Sequence, residues 1–269
     1  MDIQLQEKTE RLRMILADMG GCVIGFSGGV DSTLLFAVAA DVLGMRALAV
    51  TATSQTYPER ELREARALAE QIGGRHLEIV SEELDIPEFR HNPRNRCYYC
   101  KKELFGKLRA IADREGLGYV LDGTNIDDAG DHRPGRTAAE ELQVRSPLEE
   151  AGFTKQNIRD LSRELGLANW DKPAFACLSS RFPYGTAITA KRVGQVGRAE
   201  DLLRGLGFLT LRVRYHGDVA RIELGEQEFQ RAIGPLRNEI VRLVKSVGFT
   251  YVALDLQGYR TGAMNEVSS

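Results

Sequence analysis

Between residues 22 and 43 the chain passes from a short apolar run, Cys22-Val23-Ile24-Gly25-Phe26, through Ser27-Gly28-Gly29-Val30-Asp31-Ser32-Thr33, into a helical pattern that stops before Gly44. No other stretch limits the fold as strongly. An apolar run without alternation is the pattern of a strand buried on both faces, as in a parallel sheet covered by helices. The glycines let the backbone turn sharply and approach a ligand closely. The helix that follows offers unpaired N–H groups and the positive end of its dipole, a ready site for an anion. Ser27, Ser32 and Thr33 add hydroxyls. The plainer alternative is a tight strand–helix turn capped by Asp31 or Ser32; the full string favours phosphate binding. No Gly-Lys-Ser/Thr follows, and the spacing is not Gly-x-Gly-x-x-Gly, so neither common nucleotide loop fits.

The rest of the first half alternates strands and helices. An amphipathic helix is predicted over 3–19, strands over 46–53, 76–80 and 119–121, and helices over 58–72 and 98–115. This order predicts an α/β fold: a parallel sheet with helices on both faces. The pattern changes near Phe182-Pro183-Tyr184-Gly185, after which helix (189–206), strands (208–215, 219–224), helix (226–247) and strand (249–256) predict a small α+β unit. A chain of 269 residues suits two domains. They are expected at 1–185 and 186–269, the first for ATP, the second for substrate phosphate binding and oligomerisation.

Lys and Arg number 36 against 38 Asp and Glu, a net charge of −2. That excludes a polycation holding nucleic acid by charge alone. No apolar run approaches the roughly 20 residues needed to span a bilayer. Residues 1–8 lack a basic segment leading into an apolar one, so a cytoplasmic protein is expected. In a reducing compartment the cysteines, Cys22, Cys97, Cys100 and Cys177, read as chemistry, metal ligands or buried thiols rather than disulfides. Cys22 leads the first buried strand and is assigned to the core.

Ser27-Gly28-Gly29-Val30-Asp31-Ser32 resembles the PP-loop of the ATP pyrophosphatase superfamily. The resemblance implies ATP, held through its pyrophosphate, and adenylation of a substrate oxygen. Asp122-Gly123-Thr124-Asn125-Ile126-Asp127-Asp128 matches the superfamily's second nucleotide segment, implying roles for Gly123, Thr124 and Asn125; it also reads as an Asp/Asn/Gly turn. Asp31 and one of Asp127 and Asp128, with Asp127 preferred, are candidates for Mg²⁺, a hard ion that takes carboxylate and phosphate oxygens. Thr51, with Thr53 and Ser54 beyond it, ends the second strand, where the superfamily places adenine.

Lys172-Pro173-Ala174-Phe175-Ala176-Cys177-Leu178-Ser179-Ser180-Arg181-Phe182-Pro183-Tyr184-Gly185, taken with Asn95-Arg96-Cys97-Tyr98-Tyr99-Cys100, narrows the resemblance to LarE, sulfur transferases of nickel-pincer nucleotide synthesis. It covers essentially the full length. It implies a pyridinium mononucleotide bearing carboxylates as small-molecule substrate, adenylation of one carboxylate, and attack by sulfur carried on Cys177. Arg181, four residues on, is placed to lower the Cys177 pKa; a buried, inert cysteine is the plainer reading. In some relatives the cysteine is sacrificial. In others three cysteines hold a [4Fe–4S] cluster, and Cys97, Cys100 and Cys177 resemble that set; half a zinc site or a redox pair also fits the spacing. Arg212 and Arg214, at i and i+2 of a strand, share a face and suit a substrate phosphate. Glu200 and Glu223 match acidic positions of a subunit-interface metal in a homo-oligomer. Arg133-Pro134-Gly135-Arg136 is a basic loop at substrate or in solvent, and no role is assigned to the histidines.

Three rivals share features with this reading. A tRNA thiolation enzyme would carry a basic RNA-binding surface, which the balanced charge disfavours. An amidating synthetase would not need the three cysteines. A regulatory ATP-binding module would not need a cysteine in the loop after the sheet.

Overall fold

The structure is a computed structural model, and it describes residues 2–128, 134–173 and 176–260. In chain order its helices and strands are α1 (Ile3–Met19), β1 (Cys22–Gly25), α2 (Val30–Leu43), β2 (Ala47–Thr53), α3 (Glu59–Ile72), β3 (Arg75–Val80), α4 (Pro87–Arg90), α5 (Arg96–Glu115), β4 (Tyr119–Leu121), α6 (Pro134–Glu141), α7 (Pro147–Glu150), α8 (Lys155–Glu164), α9 (Ala190–Gly205), β5 (Leu211–His216), β6 (Val219–Leu224), α10 (Phe229–Ile233), α11 (Arg237–Ser246) and β7 (Tyr251–Leu254). Among the described residues no helix is long and apolar enough to cross a membrane.

The chain divides into two compact units, 1–86 with 95–175, and 87–94 with 176–269. The short segment 87–94 joins the second unit because its backbone is tied there: Gly185 N–H donates to Asn92 O (2.9 Å) and Ile188 N–H to Arg90 O (2.9 Å). Residues 176–185 therefore fall in the second unit, ahead of the composition change at 185.

In the first unit four parallel strands lie in the order β3-β2-β1-β4. Their residues alternate between two apolar clusters. Cys22, Ile24, Ala47 and Ala49 pack with α1, α2 and α3. Val23, Leu48 and Val50 pack with Phe105, Leu108 and Ile111 of α5. Burying both faces is what the unalternating apolar runs required. Cys22 is fully buried, and burial pushes its thiol up to about 12, so it is inert core. Because β2 and β3 extend to one side of β1 and β4 to the other, the sheet reverses direction at β1–β4. In such sheets the crevice beyond the carboxyl ends at the reversal is where ligands bind.

In the second unit β5 and β6 pair antiparallel and β6 and β7 parallel, in the order β5-β6-β7. Gly217, at φ +64°, makes the two-residue turn between β5 and β6. Two expectations are corrected here. The helix expected over 226–247 breaks into α10 and α11 because Pro235 cannot continue it. The strand expected from 208 begins at Leu211, because the Leu209 and Thr210 N–H groups donate to the Glu228 carboxylate (2.7 and 3.2 Å) instead of a strand.

Candidate active site

The glycine string forms the β1–α2 turn. Phe26 N–H still donates to Val50 O (2.9 Å), and the chain then leaves the sheet. Gly28 sits at φ +64°, and a Cβ there would lie 3.1 Å from the backbone of Ala65 in α3, so only glycine fits. Gly29 is the N-cap of α2 and no side chain caps the helix. The first N–H groups of α2 are therefore left for a ligand. Ser32 Oγ donates to Gly29 O (3.1 Å) and accepts from Ser27 N–H (3.3 Å), which closes the turn on itself. The other wall comes from β4. Gly123 faces the start of α2, where a Cβ would fall 3.0 Å from Ser32 N. The cradle thus has the shape and the donors for a polyphosphate, and a Cβ at Gly123 would crowd the start of α2.

The segment after β4 is an organised turn. Asp122 accepts from Thr124 N–H (3.1 Å), Thr124 Oγ1 (2.9 Å) and Ser146 Oγ (2.7 Å). Asn125 donates to Asp128 Oδ2 (2.9 Å) and reaches Asp31 Oδ1 (3.5 Å). Asp31 lies half-buried and is paired with Lys155 Nζ (2.6 Å), while Lys155 N–H donates to Asp127 Oδ2 (2.7 Å). Ser27, Gly28, Gly29, Asp31, Ser32, Thr33, Gly123, Asn125 and Asp127 are thus brought together at the sheet reversal. Thr124 belongs to the same loop, with its hydroxyl turned to Asp122. Thr51 is placed otherwise: it is buried in the sheet, donates to Phe26 O (2.8 Å) and meets His76 Nε2 (2.8 Å). Burial holds that imidazole below the usual histidine range.

Three residues that motif reading passed over hold this cradle. Tyr57 Oη donates to Ser27 O (2.8 Å). Asn169 Nδ2 donates to Gly28 O (3.0 Å) and Thr33 Oγ1 (3.0 Å). Lys155, in the first turn of α8, neutralises Asp31. Only Lys155 had a local signal, since Thr154 and Asn157 form a capping box that fixes where α8 starts.

In the second unit, Cys177 is half-buried and precedes the 3-10 turn Leu178–Arg181. Arg181 is buried and makes a two-pronged pair with Glu200 of α9 (2.9 and 3.0 Å). Its remaining nitrogen, Nη1, donates to Cys177 O (3.1 Å) and Ser180 Oγ (3.0 Å). Burial opposes the charge, but Glu200, and more weakly Cys177, hold the guanidinium more firmly protonated than usual. Arg214, fully buried, makes the equivalent pair with Glu223 (2.9 and 2.8 Å) and donates to Ser180 O (2.7 Å). Glu200 and Glu223 are each bound to a buried arginine. Arg212, on the same face of β5 as Arg214, lies over the Tyr259 ring and donates to its hydroxyl (3.1 Å). Burial and the neighbouring Arg181 and Arg214 pull its pKa down, and no carboxylate among the described residues forms a salt bridge with it.

Cys97 and Cys100 share the first turn of α5 in the first unit, and Cys177 belongs to the second. Among the described residues no three His, Cys, Asp or Glu side chains are grouped to hold a metal ion. Arg133 of the basic loop lies outside the described residues, as do Ala174 and Phe175; Arg136 pairs with Glu149 (3.1 Å).

The NAD synthase family model matches residues 5–95, the stretch that carries the glycine loop and the first three strands. The chain is 46% identical, over 98% of each, to an uncharacterised protein of Synechocystis sp.. It is 42% identical to pyridinium-3,5-bisthiocarboxylic acid mononucleotide synthase of Lactiplantibacillus plantarum, over 97% of this chain and 95% of that protein. The chain belongs to the LarE family. It is thereby an ATP-dependent sulfurtransferase of the PP-loop superfamily. A more distant relative is an uncharacterised protein of Methanocaldococcus jannaschii, 28% identical over 89% of this chain and 90% of that protein.

Proposed function

We propose that this protein converts a carboxylate of a pyridinium dicarboxylate mononucleotide into a thiocarboxylate for nickel-pincer cofactor synthesis. The observation that carries the reading is the 42% identity over nearly the whole chain to a synthase of the bisthiocarboxylic acid mononucleotide. The open cradle at the sheet reversal supports it.

The chemistry follows from the residues. The glycine loop and the α2 N-terminus hold the polyphosphate of ATP. Asp31, with Asp127 nearby, would hold Mg²⁺, which would supply charge neutralisation for the phosphates. A carboxylate oxygen of the substrate attacks the α-phosphorus and pyrophosphate leaves. The acyl-adenylate is a good electrophile. Cys177 Sγ attacks the acyl carbon and AMP leaves, giving a thioester. Loss of the Cys177 α-proton then breaks the Cβ–Sγ bond. The product keeps the sulfur and the residue becomes dehydroalanine, with no oxidant needed. Arg212, the buried guanidinium without a carboxylate, holds the substrate phosphate. Arg214 shares that face but is committed to Glu223. Homo-oligomerisation through the second domain belongs to the same reading, and light scattering measures it.

The test adds ATP, Mg²⁺ and the pyridinium dicarboxylate mononucleotide to anaerobically purified, cluster-stripped protein and follows AMP and intact mass. The expected result is AMP formed only with the substrate, together with loss of the mass of hydrogen sulfide, mapped to Cys177. AMP release that ignores the substrate would sink the reading. Product with unchanged polypeptide mass would move the sulfur source to an external carrier passing through the cysteines.

A further inference from the structure

A buried carboxylate outside the catalytic motifs sits behind the nucleotide loop. Glu83, just after β3, is 2% exposed. No lysine or arginine among the described residues pairs with it. Hydroxyls surround it instead. Ser54 Oγ (2.5 Å) and Thr56 Oγ1 (2.6 Å) donate to Oε1, and Ser81 Oγ (2.5 Å) reaches Oε2. Ser81 Oγ also lies 2.7 Å from Glu103, whose charge Lys107 answers at 2.7 Å. A buried carboxylate is tolerated only with such a set of donors. Ser54 and Thr56 belong to the segment that leaves β2, and their bonds to Glu83 fix residues 54–57, where Tyr57 N–H closes a turn on Ser54 O (3.1 Å).

That turn ends in Tyr57, whose hydroxyl holds Ser27 O at 2.8 Å. A trans peptide points its C=O and the next N–H in opposite directions. Fixing Ser27 O therefore aims the Gly28 N–H away from Tyr57, and no acceptor among the described residues takes that N–H. Burial, and then Glu61 and Glu64, push the Tyr57 pKa up, which keeps the hydroxyl a donor.

We infer that Glu83 is a positioning residue for the nucleotide site: through Ser54, Thr56 and Tyr57 it orients the Ser27–Gly28 peptide so that its N–H faces the polyphosphate. The inference rests on the proposed ATP reading and adds to it the residues that set its phosphate affinity.

The experiment measures binding of ATP, pyrophosphate and adenosine to full-length protein, wild type against Tyr57→Phe, Thr56→Val, Glu83→Gln and the Tyr57→Phe/Glu83→Gln double variant. Each single change should weaken ATP and pyrophosphate by about five- to tenfold and leave adenosine unchanged. The double variant should bind no more weakly than the poorer single one, because both act on one peptide. A merely structural role would weaken all three ligands together or none, and either result overturns the inference, as does an additive double variant. Should Glu83→Gln fail to fold, Tyr57→Phe and Thr56→Val carry the same comparison. Wild-type protein that binds neither ATP nor pyrophosphate would instead overturn the proposed function, and this inference with it.

Discussion

In the first unit the glycine loop is gripped by its carbonyls, Ser27 O by Tyr57 and Gly28 O by Asn169, while the Gly28 N–H and the first N–H groups of α2 stay open. In the second unit the turn that carries Cys177 is also gripped by carbonyls, but from beneath by two buried arginines, each neutralised by a glutamate. Under the proposed function, the difference follows from what each would do. A loop that receives an anion needs donors in reserve and little fixed charge around them. A turn that presents a nucleophile gains from fixed positive charge, provided that charge is compensated well enough to stay buried. Asp31–Lys155 at the loop is half-exposed and exchangeable, whereas Arg214–Glu223 is sealed.

The largest effect expected is at the sealed pair. Glu223→Gln strands a buried guanidinium and should lower stability by about 3–5 kcal/mol. Denaturation by urea, with alkylation of Cys177 followed in parallel, checks both stability and the hold on the turn. Sulfur transfer should fall while substrate-dependent AMP formation persists; equal loss of both would erase the contrast between the two centres. Gly28→Ala comes next. Its positive φ costs about 1–2 kcal/mol, and the Cβ meets Ala65, so ATP binding should weaken by at least roughly tenfold. An unchanged Kd for ATP would mean that the loop is not the anion site. The smallest effect is at Lys155. A partly exposed ion pair contributes about 1 kcal/mol or less, so Lys155→Met should shift the Mg²⁺ concentration for half-maximal activity downward by about two- to fivefold, by freeing Asp31. A shift upward would show that Lys155 itself serves the phosphates.

The elements that carried a local signal were legible. Unalternating apolar runs gave the parallel strands of the first unit, the glycine string placed the loop, and Gly217-Asp218 marked the turn between β5 and β6. The helix over 226–247 misled because its apolar spacing continues across Gly234-Pro235, and periodicity alone does not register a missing N–H. Glu200 and Glu223 carried no local sign of their partners: Arg181 precedes Glu200 by 19 positions and Arg214 precedes Glu223 by 9 on the neighbouring strand. Thr51 lies in the expected strand, two residues before its end, but its side chain faces His76 and the sheet.

The sequence by itself determined the parallel α/β core, the glycine loop between β1 and α2, and the cysteine-bearing segment that marks the family, because each is written in contiguous residues whose backbone demands are local. Tertiary structure alone decided which groups face the loop and which are sealed away. Tyr57, Asn169 and Lys155 reach the site from 30 to 141 positions along the chain. Such contacts depend on where the sheet reverses and how the helices pack on it, and no local pattern encodes that.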